Sequence, residues 1–168
     1  MRRLRPAWRR SRSPQLIDKA DAAEAARKGI VVVTTAGLVN RWKEREPERY
    51  AAVREAQIAN LRVLKESGVR MAVGSDEYDD TSVAEVAHLR SLGVLDNAEI
   101  LRMWTANCAG AFAGRRIGQL ADGYEASFIA FDGDPLKDFE VTRRIALRVK
   151  DGRILELGPA PPEPSAED

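Results

Sequence analysis

Val69-Arg70-Met71-Ala72-Val73 is a short, largely apolar run that ends abruptly in Gly74-Ser75-Asp76. Buried parallel strands read as such runs, and α/β enzymes place their chemistry at the carboxyl ends of those strands. Asp76 stands at that end, where its carboxylate can bind a metal, act as a base, or cap the next helix. Glu77, Asp79 and Asp80 follow at once. Together they would add oxygen ligands for a hard cation or, more simply, Asp79 and Asp80 favour the positive end of the following helix. Thr34 and Thr35 close a second β-branched run, Ile30 to Val33. They face either a substrate or ordinary strand neighbours.

A catalytic zinc needs about three protein ligands and a water. His88 is the only histidine of the chain and Cys108 the only cysteine. His88 falls inside a predicted helix and reads as a polar residue facing solvent or a neighbour, not as a ligand. Cys108 lies on an apolar stripe and reads as a small hydrophobe. Trp42, Tyr78 and Trp104 are single aromatics, for which core or loop packing is the default.

The elements that must position Asp76 follow from periodicity and punctuation. Asp18 to Lys28 is alanine-rich with mixed charge and predicts a helix, closed by Gly29. Ile30 to Thr35 predicts a buried strand, and Ala36 to Val39 a loop. Pro47 opens a long helix with Tyr50, Val53, Ile58, Leu61 and Leu64 on one broad face, ended by Gly68. The Gly-Ser-Asp strand comes next. Strand, helix and strand in this order imply a right-handed parallel crossover.

Ser82-Val83-Ala84-Glu85 is a capping-box pattern starting another helix, which stops near Gly93. Asp96-Asn97-Ala98-Glu99 is a similar start. Ile100, Trp104, Cys108 and Ala111 then stripe one helix as far as Gly114. After Arg115 the grammar becomes antiparallel β. Ser127 to Phe131 is a strand, and Asp132 to Pro135 a turn. Ile145, Leu147 and Val149 alternate with polar or small residues. Lys150-Asp151-Gly152-Arg153 is a hairpin turn, from which Ile154 to Leu157 returns.

With 44% hydrophobic and 32% charged residues, this is the composition of a globular chain. The net charge of +1 gives no global field toward nucleic acid or membrane, and no apolar run approaches the roughly 20 residues of a membrane span. One cysteine forms no internal disulfide, which fits a reducing, cytoplasmic compartment. Residues 1–17 hold six arginines by Arg12 and no following apolar stretch. They read as a disordered start, the alternative being a phosphate-binding arm. Residues 158–168 read as a flexible Pro-rich tail.

The order and identity of these stretches resemble the C-terminal part of the metal-dependent amidohydrolase superfamily, near its imidazolonepropionase-like branch. The resemblance rests on Asn60 to Asp80, on Met103-Trp104-Thr105-Ala106-Asn107-Cys108-Ala109, on Arg116 to Leu136, and on the strand pair around Val149-Lys150-Asp151-Gly152. It implies a (β/α)8 barrel with a small β-sandwich, binding a divalent metal, usually zinc. It implies hydrolysis of non-peptide C–N bonds, amide or cyclic amide, by a metal-bound hydroxide. Asp76 falls on the family's aspartate at the end of the eighth strand, a metal ligand and proton shuttle; Ile30 to Thr35 then corresponds to the seventh. Where members often carry Ala-Asp-Leu in the sandwich, this chain has Glu125-Ala126-Ser127-Phe128.

The expected fold is therefore α/β. Residues 18–114 form the last two strand–helix units of the barrel, and residues 115–157 part of a small antiparallel β-sandwich. The family's remaining ligands belong to earlier strands, so the chain alone is expected to hold no metal and to be inactive. The alternative is a non-catalytic truncated chain or interaction module. Val31, Val32, Val33, Met71 and Val73 are expected to expose apolar surface, so that the chain self-associates or takes an N-terminal amidohydrolase segment as partner. A small-molecule substrate is implied for the complete enzyme, with no nucleic-acid or membrane partner.

Overall fold

The computed structural model describes residues 16–76, 81–110, 112 and 114–156. The basic start as far as residue 15, the Pro-rich tail, and Glu77, Tyr78, Asp79 and Asp80 lie outside the described residues. Ile17, which the sequence reading placed in the irregular start, is held by its N–H donating to Asn60 Oδ1 at 2.8 Å. The chain divides into two compact units after Phe112.

In the first unit, α1 (Lys19–Arg27) starts where Asp18 accepts the Ala20 N–H, and Gly29 follows at φ +66°. This is the left-handed position that favours glycine. Strand β1 (Val31–Thr34) leads through a 3₁₀ helix (Ala36–Trp42) into α2 (Pro47–Glu66), which has proline at its first turn. Strand β2 (Arg70–Val73) returns parallel to β1, with Val31 opposite Arg70 and Thr34 opposite Val73. The expected crossover is thus present, and Ala36 to Val39 is helical rather than a loop. Helices α3 (Val83–Ser91), α4 (Asn97–Trp104) and α5 (Ala106–Ala109) complete the unit.

Two helix expectations are corrected. At the start of α3, Ser82 makes no capping hydrogen bond, because both side chains of the box are engaged across the fold. The Asp96–Glu99 box does form on α4. The helix expected to run to Gly114 breaks at Thr105 (φ −122°, ψ −92°), whose Oγ1 donates back to Leu101 O at 2.7 Å. Gly110 then caps α5. Ile100 and Met103 are buried, whereas Cys108 is only half-buried.

The core gathers Leu61 and Leu64 of α2, Met71 and Val73 of β2, Val86 and Leu89 of α3, and Ile100 and Met103 of α4. Burying each large side chain is worth roughly 1.5–3 kcal/mol. The expectation of exposed strand residues holds only in part. Val33 is 50% exposed, but Met71 and Val73 are buried, because α4 and α5 pack on β2. Among the described residues, β1 and β2 pair only with each other, and no helix is long and apolar enough to cross a membrane.

The second unit is an antiparallel sheet in the order β3 (Phe128–Phe131), β4 (Ile145–Lys150), β5 (Arg153–Leu155). Along β4 half-buried and exposed residues alternate, Ile145, Leu147 and Val149 facing in. The hairpin turns on Asp151 (φ +50°) and Gly152 (φ +75°), the paired positive angles of a tight primed turn. A second 3₁₀ helix (Phe139–Arg143) buries Phe139 and Val141 and had no clear signal in the sequence.

Candidate active site

The carboxyl ends of β1 and β2 are locked together. The Gly74 N–H donates to Thr34 O at 2.8 Å. A Cβ on Gly74 would stand 2.9 Å from both Thr34 O and Val33 Cγ1, so only glycine allows this approach. Two residues on, Asp76 is exposed and left-handed at φ +56°. Aspartate tolerates that region better than most residues, but the conformation still costs about 1–2 kcal/mol. Strained backbone of this kind concentrates at functional sites. Thr35 is exposed, while Thr34 Oγ1 is buried with no hydrogen-bond partner among the described residues.

Behind this strand end lies a polar cluster whose key member, Glu85, sequence reasoning assigned to a local cap. Glu85 is 2% exposed. Its two oxygens accept the backbone N–H groups of Ala36 (2.9 Å) and Gly37 (2.5 Å), at the start of the 3₁₀ helix. From α2, Gln57 Nε2 donates to Ala36 O at 2.8 Å, and its Oε1 faces His88 Nε2 at 2.8 Å. Because the Gln57 amide is oriented by Ala36, His88 Nε2 is the donor to it. His88 Nδ1 lies 3.1 Å from Asn40 Oδ1. With Nε2 donating to Gln57, a neutral ring accepts at Nδ1 and pairs with Asn40 once that amide is turned to present its nitrogen, an orientation that is assigned from the hydrogen-bond network. Burial lowers the His88 pKa below its usual value; the Glu85 charge opposes this and Arg54 adds to it.

Strand β2 is gripped from the other side. Asn107 Nδ2 donates to Met71 O at 2.8 Å. Cys108 Sγ lies 3.0 Å from Met103 O and 3.5 Å from Val73 O, so the thiol is a weak donor at the break between α4 and α5. Trp104 Nε1 donates to Ser82 Oγ at 2.7 Å and fixes the start of α3. Trp42 stacks under the Arg49 guanidinium at 3.9 Å.

Of the residues singled out in the sequence, Asp76, Thr34 and Thr35 therefore share one strand end; Cys108 touches it at Val73 O, and His88 reaches it only through Gln57. Glu77, Tyr78, Asp79 and Asp80 fall outside the described residues. Among the described residues no three His, Cys, Asp or Glu side chains converge. Both His88 nitrogens face amides and Glu85 is committed to backbone N–H groups. One carboxylate does not make up a zinc site, so the described residues do not by themselves fit the metal that the resemblance implies. A shallow cavity of about 220 Å³ lies at the opposite end of β2, beside Lys65, Met71, Glu99 and Arg102.

The amidohydrolase family model matches residues 11–155, and the chain belongs to that family. Members of this family commonly use a divalent metal. Among solved structures the chain is similar to an amidohydrolase at 27% identity and TM-score 0.66, covering 83% of this chain and 38% of that one. It is similar to a prolidase complexed with N-methylphosphonate-L-proline at 25% identity and TM-score 0.65, covering 84% and 38%. The ochratoxinase of A. niger, at 23% identity and TM-score 0.71, covers 82% and 34% and shares the fold. The chain thus spans under two-fifths of the length of each of these relatives. A search of curated proteins returned no match.

Proposed function

We propose that this chain is the C-terminal part of a metal-dependent hydrolase of amide-type C–N bonds, with Asp76 as the site carboxylate that it contributes. The observation that carries the reading is the parallel β1–β2 pair with Asp76 exposed and left-handed just past its second strand. The pair would be the seventh and eighth strands of a (β/α)8 barrel of the imidazolonepropionase-like branch. The other metal ligands, and the strand edges beyond β1 and β2, belong to an N-terminal segment. Zinc is the proposed metal of the completed site. Small cyclic and acyclic non-peptide amides are the substrates the resemblance implies, and the prolidase relative widens the proposal to the peptide bond of an Xaa-Pro dipeptide, the first to assay. Without that segment the chain is inactive and self-associates through the half-open strand face around Val33.

The test joins the chain to a segment carrying the earlier strands of a related amidohydrolase, and measures zinc content and turnover of an Xaa-Pro dipeptide and a cyclic amide. The reading expects stoichiometric zinc and turnover only in the joined protein, and concentration-dependent light scattering from the chain alone. Tightly bound zinc together with amide turnover by the 168-residue chain, as a monodisperse monomer, contradicts it.

A further inference from the structure

We infer that Glu85 is a positioning residue for the site, holding the segment after β1 in place at the strand ends where Asp76 emerges. The inference rests on the reading of Asp76 as the site carboxylate.

Helix α3 forgoes its own cap. A Ser-x-x-Glu start normally satisfies two backbone donors of its own helix, and losing such a cap destabilises the helix. Here neither side chain performs that task. Ser82 Oγ accepts the Trp104 indole N–H instead. Glu85 reaches across to the N–H groups of Ala36 and Gly37, 49 and 48 residues away in the chain.

These are the two residues that follow Thr35, and Thr34 O is itself bonded to the Gly74 N–H. One buried carboxylate therefore fixes the turn that leaves β1, and the strand pairing couples that turn to the segment leading to Asp76. The fit is close. A Cβ on Gly37 would stand 2.9 Å from Glu85 Oε2 and 3.3 Å from Glu85 Cα. Gln57 closes the arrangement by holding Ala36 O while His88 orients Gln57. Two helices, α2 and α3, thus converge on one peptide group, between Ala36 and Gly37, that carries no reactive side chain. A carboxylate accepting two N–H groups in a dry site makes strong, directional bonds, and such supporting contacts hold reacting groups within the tolerance that chemistry demands.

Two variants test this while keeping the fold. Glu85→Gln retains the shape but turns an N–H group toward one of the two donors, and Gly37→Ala pushes the carboxylate away from its partners. Residue-resolved amide exchange on the chain should show Ala36 and Gly37 exchanging about tenfold or more faster in both variants, with Met71 to Val73 unchanged. In the joined protein, both variants should lower kcat for the Xaa-Pro dipeptide by about tenfold or more while zinc content stays stoichiometric. Unchanged exchange at Ala36 and Gly37 overturns the inference. So does faster exchange with undiminished kcat, or exchange that rises equally throughout β2, either of which makes Glu85 a general stabiliser only. Asp76→Ala, measured alongside, separates the two readings: full activity in that variant defeats the site assignment and leaves the exchange result standing.

Discussion

Glu85 and Glu125 each gather several donors, yet they sit in opposite surroundings. Glu85 is buried in the first unit and accepts two backbone N–H groups. Glu125 lies near the surface of the second unit. It accepts Lys150 Nζ at 2.6 Å, Ser127 Oγ at 2.6 Å and the Arg115 guanidinium, tying the start of β3 to the β4–β5 hairpin. The first holds backbone in low dielectric, where an orphaned donor is costly. The second holds flexible cations that water and salt can replace. Similar chemistry thus gives a rigid support in one place and an exchangeable clasp in the other.

The sharpest way to break this contrast is to remove each carboxylate. Glu85→Ala leaves two buried N–H groups without acceptors and should destabilise the first unit by about 2–4 kcal/mol in urea melts. Glu125→Ala should have a clearly smaller effect, and one that shrinks further in high salt. Equal losses for the two, or a salt-sensitive loss at Glu85, would erase the distinction.

Acid should separate the units as well. His88 has its pKa lowered by burial, so the folded first unit prefers the neutral ring. That stability is complete above the ordinary histidine value of 6.5 and is lost as pH falls below it. Glu125 has its pKa lowered by Lys150, Ser127 and Arg115, in that order. Its contribution is complete above the ordinary glutamate value of 4.5 and is lost only as pH falls further, toward the lowered folded value. Denaturant melts followed unit by unit should show the first unit weakening before the second. His88→Gln should abolish the earlier step, and its persistence in that variant would assign it elsewhere.

The smallest effect concerns a buried polar atom with no partner among the described residues. Thr34 Oγ1 makes no hydrogen bond to them, so Thr34→Val should be neutral or stabilising by up to about 1 kcal/mol. A loss of more than that by calorimetry would show that the hydroxyl is used.

Much of this arrangement was legible in the sequence because its causes are local. The β-branched and apolar runs of β1 and β2 lie on either side of a long helix with a first-turn proline, which is enough to read a parallel pair. Asp151-Gly152 can hardly be anything but a tight hairpin turn. The Asp96–Glu99 box closes on itself as its spacing says. The failures have distant causes. Ser82 and Glu85 have the same local pattern as Asp96 and Glu99, but Trp104, Ala36 and Gly37 compete for them, and no window of a few residues contains that competition. The same long-range bonds turn Ala36 to Val39 from an expected loop into a 3₁₀ helix. Thr105 breaks its helix with a side chain that bonds back to Leu101, while the apolar stripe runs through the break. Of the candidate site, Asp76 was legible from its place after a strand; its support by Glu85 was not.

The central claim is that Asp76 is the site carboxylate of an amidohydrolase that this chain completes. It is tested most directly by the rate of amide hydrolysis with Asp76→Ala in the protein joined to its earlier strands, with circular dichroism and melting as the check on fold. The account predicts that kcat/KM falls by about a hundredfold or more, with the fold retained and stability lowered by no more than about 1 kcal/mol, since alanine tolerates the left-handed backbone less well than aspartate. Activity within about twofold of the parent, which lies inside the scatter expected of an uninvolved surface residue, would contradict it.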